Sequence, residues 1–298
     1  MSLEVMTRLL LIRASPCKLK TMHRSHFRDG RKLTVAARIL LSALLLFAAR
    51  RSAAEPTPQS VSSYNSYIAS VEGRLLQQHR SQSAFLAGAA LEPQNAQRLR
   101  NGEQIIEELT PAESASFPGA LLHHWRGTAF APGATGASFE RMLRDFDAYP
   151  QRFSPQVLQA KILSRQGDHL LATMRVRQKH VITVVLDSTY DVSFGNLDQR
   201  DGYSASRSTA IQEIDSPGTA REHPLSAQQE HGFLWRLNTY WTWEERDGGL
   251  YVQIESVSLS RSIPAGLGWV LRPFVESVPR ESLEFTLRSA RSALAGRG

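Results

Sequence analysis

The sequence predicts an α+β fold: a bent antiparallel sheet of about seven strands wrapped on a long C-terminal helix, with a helical extension in front. Three stretches carry that reading. Residues 233–260 read as two strands joined by the turn Arg246-Asp-Gly-Gly249, because Asp-Gly between apolar runs marks a tight hairpin. Residues 181–194 alternate, with Ile182, Val184, Leu186, Tyr190, Val192 and Phe194 opposite Thr183, Asp187, Thr189, Asp191 and Ser193. That is the pattern of a strand with one face on a core. Leu283, Leu287, Ala290 and Leu294 then recur at helical spacing, flanked by Phe285.

The remaining elements follow in order. Glu55–Ser63 is rich in Pro, Ser and Thr and reads as a flexible lead-in. Tyr64, Tyr67, Ile68, Val71, Leu75 and Leu76 mark one helix face; Leu99, Ile105, Ile106 and Leu109 mark a second short segment of the extension. Residues 121–130 read as the opening strand, after the turn signal Ser116-Phe-Pro-Gly119. Ser138 has the chemistry of an N-cap, and Phe139, Met142, Leu143 and Phe146 give a short helix ending near Tyr149-Pro150. Strands are expected over 157–165, 170–177, 181–194 and 203–214, with a loop over 215–231. Pro279 suits the first turn of the closing helix, and Pro273 should break any helix starting near Leu267. From Pro279 to Leu294 that helix spans about 24 Å at 1.5 Å per residue. Burying its three leucines is worth about 5–9 kcal/mol before entropy, which makes it integral to the core.

Charge and cysteine narrow the function. The formal net charge is +7, but residues 1–54 hold 11 Lys/Arg against 2 Asp/Glu, a local charge of +9 that leaves −2 for the remainder. A nucleic-acid binder carries its positive charge on the folded domain, so no nucleic-acid partner is expected. Residues 1–54 read as a leader. Arg24, Arg28, Arg31 and Lys32 precede the apolar run Ile39–Ala49, and Ser52-Ala53-Ala54 offers a cleavage site before Glu55. The expectation is secretion or periplasmic export. Arg50 and Arg51 are atypical of a cleaved signal, so an inner-membrane anchor over residues 35–49 is the alternative, with membrane contact through it. Residues 1–21 sit awkwardly ahead of that basic segment, which points to Met22 as the true start. Cys17 is the only cysteine, so a mature chain would have no thiol, disulfide or cysteine metal ligand. The domain division is therefore leader 1–54, linker and helical extension 55–110, and main domain 111–298.

The segments Phe233-Leu-Trp-Arg-Leu-Asn238, Ile263-Pro-Ala-Gly-Leu-Gly-Trp269, Pro279-Arg-Glu-Ser-Leu283 and His123-His-Trp-Arg-Gly127, with the order of elements, resemble the START-like (SRPBCC) superfamily, which includes polyketide cyclases. The likeness is to uncharacterised secreted bacterial members and covers residues 111–298. It implies a helix-grip fold and an apolar cavity between sheet and last helix for a lipid or aromatic, polyketide-like ligand. No short catalytic signature defines that superfamily.

The residues allow a sharper and a blander reading. His123 and His124 are adjacent on a strand, so they point to opposite faces and at most one meets a cavity. With no zinc spacing among the histidines, both are expected to be structural; no metal and no cofactor is expected. Phe233, Trp235, Leu237, Trp241 and Trp243 share one strand parity, Arg236, Asn238 and Tyr240 the other. The aromatic parity is expected to line core or cavity and the polar parity to meet solvent. Arg126, Arg207, Arg236 and Glu255 are the strand charges to check for burial, since a buried charge must be paired. The candidate ligand-binding set is Trp125, Arg207, Trp235, Arg236, Tyr240, Trp241 and Glu255. No Gly-x-Ser-x-Gly elbow or phosphate-cradling loop is present, and Asp145 with Asp147 reads as solvated. The leading expectation is binding of a hydrophobic small molecule without chemistry. The alternatives are a cyclase-like enzyme using Arg236, Tyr240 or His124 in the cavity, and an envelope interaction module with a filled core that docks through residues 64–109.

Overall fold

The computed structural model describes residues 55–81, 85–88, 92–111, 117–179, 183–263 and 268–295, with side chains of the last helix from 277 onward. The leader expectations, including the cleavage site, the anchor, Met22 and Cys17, lie outside the described residues. So does most of the Ile263–Trp269 segment. No helix among the described residues is long and apolar enough to cross a membrane.

Thr57 caps the first helix, α1 (Pro58–Gln78), by accepting from the Ser60 amide, and Pro58 occupies the first turn where its missing N–H costs nothing. The Pro/Ser-rich lead-in is therefore largely helix. Next come α2 (Pro93–Arg100), β1 (Ile105–Glu108) and β2 (Ala120–Pro132). Ile105 and Ile106 belong to a strand and not to a helix, so the sheet begins before residue 111. In α3 (Gly136–Arg144) the cap is Thr135; Ser138 completes a capping box from the third position. A 3-10 turn (Phe146–Ala148) and α4 (Tyr149–Arg152) follow, where Asp145 pairs with Arg152. Four strands come next: β3 (Val157–Gln166), β4 (His169–Lys179), β5 (Thr183–Asn196) and β6 (Gly202–Asp215). After the short β7 (His223–Pro224) come β8 (Arg236–Arg246) and β9 (Gly249–Arg261).

The β8–β9 turn has two central residues, Asp247 (φ 56°) and Gly248 (φ 73°). Both left-handed values match the turn that suits strand twist, which is why Asp-Gly sits there. β8 starts three residues later than expected. The buried Glu213 carboxylate accepts the amides of Gly232 (2.8 Å) and Phe233 (3.0 Å), so those groups cannot join the ladder. Phe233 consequently lies exposed rather than on the inner wall.

All strand pairs are antiparallel, in the order β1-β2-β9-β8-β6-β5-β4-β3, with β7 on β6. The last helix, α5 (Gly268–Ala295), runs through both Pro273 and Pro279 instead of starting at the latter. Each proline removes one backbone hydrogen bond; C-terminal to Pro279, burial of Leu283, Leu287, Ala290 and Leu294 outweighs that loss. The helix meets β2 at one end of the strand order, and β4 at the other through Gln178 Nε2 donating to Ser282 Oγ (2.9 Å). The sheet therefore bends around it. At Gly127 an added Cβ would stand 2.5 Å from Leu287 Cδ1 and 2.8 Å from Leu283 Cδ2. Gly127→Val should cost about 1–3 kcal/mol by overpacking, read as a lowered urea midpoint; an unchanged midpoint would mean that α5 can back away.

The other face of the sheet is covered too. Tyr64, Ile68, Val71 and Leu75 of α1 pack on Leu122, Trp235, Tyr240, Val257 and Leu259. The extension is thus an outer layer of the same body, and its apolar face is spent on its own sheet.

Candidate functional site

Alternation along each strand assigns every side chain of the central strands to the inner face, toward α5, or the outer face, toward α1. Gly127 faces α5, so His123 and Trp125 are inward on β2. Their register partners are Ser258 and Ser256 on β9. Those pair with Leu237 and Thr239 on β8, and Thr239 pairs with Ser206 on β6.

The inner face has two halves. Near the hairpin turn it is filled by Trp241, Trp243, Phe194, Val252 and Ile254, with Phe139 of α3 set edge-on to both tryptophans at 5.2 and 5.4 Å. Further along the same strands the inward residues shrink to hydroxyls: Ser256, Ser258 and Ser260 on β9, Thr239 on β8, Ser204 and Ser206 on β6. Within the single strand β9 the apolar parity switches. Leu250, Val252 and Ile254 point inward, whereas Val257 and Leu259 point outward under α1. Beside the serines, His123 is only 8% exposed, and its Nε2 is buried without a hydrogen-bond partner among the described residues. The Trp125 indole Nε1 is in the same condition. Burial lowers the His123 pKa below its usual value, so the ring is neutral at pH 7. The row Trp125, Ser256, Thr239, Ser206, Val192 carries no charge, and neither does the row His123, Ser258, Leu237.

The outer face holds the charges. Glu255, 2% exposed, accepts from Arg126 Nε (2.9 Å), His124 Nε2 (2.9 Å) and both terminal nitrogens of Arg74 on α1. A proton on Nε2 leaves Nδ1 of a neutral His124 to accept from the Tyr67 hydroxyl, 2.8 Å away on α1. Burial alone would raise the Glu255 pKa; the His124 hydrogen bond and the Arg126 and Arg74 charges outweigh it and hold it at about 2. Beside this network Glu72 of α1 pairs with Arg207 (2.6 Å) and accepts from the Tyr240 hydroxyl (2.9 Å).

The seven candidate residues therefore divide between opposite faces. Trp125 and Trp241 are inward, the latter locked in the filled half. Arg207, Tyr240 and Glu255 are outward and bonded to α1. Trp235 precedes β8 and belongs to the outer cluster, and Arg236 donates to the Trp235 carbonyl at 2.7 Å. The polar parity of β8 does not meet solvent at its centre, because α1 covers Asn238, Tyr240 and Thr242. Arg236, Tyr240 and His124, the groups an enzyme reading required, do not line the interior. His123 and His124 do point to opposite faces. The inward hydroxyl row went unread, although Ser256, Ser258 and Ser260 opposite Val257 and Leu259 were its visible signal.

A bent antiparallel sheet with β2 paired to β9 and closed around the last helix is the helix-grip arrangement. The chain has the helix-grip fold. Solved structures similar to this helix-grip chain include a STAR-related lipid transfer protein from Xanthomonas axonopodis, with 19% identity over 64% of this chain and 98% of that one, and a TM-score of 0.37. A START superfamily protein from Mycobacterium smegmatis has 11% identity over 60% and 99%, with a TM-score of 0.37. The Zhui aromatase/cyclase from Streptomyces sp. R1128 has 14% identity over 59% and 96%, with a TM-score of 0.41. No protein-family model and no curated protein matches the chain.

Proposed function

We propose that the hydroxyl-lined half of the inner face binds an uncharged, largely apolar small molecule that carries a hydroxyl or carbonyl oxygen, of lipid or aromatic polyketide-like chemistry. The observation that carries this reading is the pair of buried, unpartnered ring nitrogens on Trp125 and His123. A buried donor without a partner costs about 1–3 kcal/mol, and one ligand oxygen facing it recovers that loss. The indole N–H can only donate; the neutral imidazole nitrogen can donate or accept. A carbonyl satisfies the first and a hydroxyl can satisfy both. The uncharged rows disfavour a carboxylate or ammonium head group, whose burial there would go uncompensated. Delivery of such a molecule outside the cytoplasm is the setting we infer from the leader: secreted or periplasmic, or held at the inner membrane by residues 35–49.

Native mass spectrometry of the full chain, purified without detergent, should show a copurified neutral organic molecule that organic solvent extracts. Trp125→Phe removes the donor while keeping the ring, and should weaken binding of that molecule about tenfold, one hydrogen bond's worth. Equal occupancy in wild type and variant, or a charged occupant, would overturn the reading.

A further inference from the structure

A second cleft lies outside the inner face, between the outer side of α5 and the segment leading into the edge strand β1. Its volume is about 540 Å³, and its polar lining comes from Arg98, Gln104, Arg280, Glu284, Arg288 and Arg291. We propose that this cleft binds a phosphate monoester.

Beside Ile105 and Ile106, every polar side chain of the lining except Glu284 carries a donor. The Gln104 amide nitrogen is buried and has no hydrogen-bond partner among the described residues. Arg288 has no carboxylate within ion-pair distance among the described residues. Arg291 gives one nitrogen to the Gly102 carbonyl, which fixes its guanidinium at the cleft and leaves its other N–H groups free to donate. Arg98 and Arg280 are engaged with Glu103 and Glu284, each at 2.9 Å, but both pairs are partly exposed. Exposed pairs contribute little and exchange readily for a stronger acceptor. Four guanidinium groups against a single lining carboxylate leave net positive charge in a partly enclosed space.

Geometry selects the anion. The donors arrive from three places: Arg98 from α2, Gln104 from just before β1, and Arg280, Arg288 and Arg291 from α5. A carboxylate offers two coplanar oxygens and is served by one guanidinium fork. A tetrahedral phosphate accepts from several directions and suits a ring of forks. The volume lies in the range of about 300–1,000 Å³ usual for small organic ligands, more than inorganic phosphate alone requires. A phosphate on an organic body fits both facts. That body is either a soluble phosphomonoester or a phospholipid with a terminal phosphate. This inference does not depend on what the inner face binds.

The test uses the full chain and three probes: inorganic phosphate, glycerol 3-phosphate, and vesicles of phosphatidylcholine with or without phosphatidic acid. Calorimetric titration should give saturable binding of glycerol 3-phosphate that is tighter than that of inorganic phosphate. Binding only to the phosphatidic acid vesicles would keep the chemistry and assign the lipid as its source. The Arg288→Ala/Arg291→Ala double variant should weaken whichever probe binds by tenfold or more. Gln104→Leu separates a ligand role from a structural one: affinity should fall while the melting temperature holds or rises, because an unmet buried donor is removed. Binding that persists in both variants, or the absence of binding to all probes at low ionic strength, overturns the proposal.

Discussion

Replacing Glu255 with alanine should destabilise the protein by about 3–5 kcal/mol, the cost of leaving the buried Arg126 guanidinium without its counter-charge. Arg126 is buried to 6% exposure and His124 to 3%, and each donates to this one carboxylate on the outer face. Arg74 ties α1 to it from the other side. Loss of the carboxylate therefore strikes two things together, the β2–β9 pair and the seat of α1. Urea titration followed by far-ultraviolet circular dichroism is the measurement. Glu255→Gln should lie between, because the amide keeps an acceptor but not the charge. A loss below about 1 kcal/mol for the alanine variant, the range of an exposed pair, would show that water reaches the network.

Acidification from pH 7 to 4 should cost up to about 3 kcal/mol through His79 alone. His79 closes α1, stacks on Tyr203 at 4.2 Å and bonds Thr242 through Nε2 at 2.9 Å. Burial lowers its pKa from 6.5 to about 4. Below pH 6.5 the unfolded chain takes up a proton that the folded chain refuses until about pH 4, so stability falls throughout that window. Glu255 acts in the next one: its folded pKa lies at about 2 against an ordinary 4.5, so its contribution is present above 4.5 and is lost as pH falls toward 2. The His79→Gln variant should flatten the upper window and leave the lower unchanged. A profile identical to wild type between pH 6.5 and 4 would show that His79 protonates in the folded state.

Much of the architecture was legible because periodicity survives in the sequence wherever one face is buried. The alternation of residues 184–194, the Asp-Gly turn and the leucines of the last helix each read correctly for that reason. Reading failed where the partner of a face lies far along the chain. Tyr240 and Glu255 look solvent-facing on their strands, and only α1, some 170–180 residues earlier, makes them interior. Trp235 carries the parity of the inner wall, but the Glu213 carboxylate holds the amides of Gly232 and Phe233 and β8 begins only after Trp235. Large and charged side chains say little about the hydroxyl-lined half of the inner face. Small side chains mark it instead, and the inner-face ring nitrogens without a partner among the described residues belong to Trp125 and His123 of β2.

The pairing of β2 with β9 has a consequence for synthesis. Pro132 finds Gly249 about 120 residues later, and Tyr64 bonds the Val257 carbonyl from further still. At about 5–20 residues per second, β2 leaves the ribosome roughly 6–24 s before its neighbour exists. Through that interval thirteen residues of a strand bonded only by short β1 offer a free ladder to any passing chain. High contact order of this kind slows folding, since loop closure precedes any reward. α1, already synthesised, has no complete surface to settle on until β9 arrives. The last hairpin is therefore the event that completes both layers at once, and a chain truncated before it would hold two greasy elements with nowhere to put them.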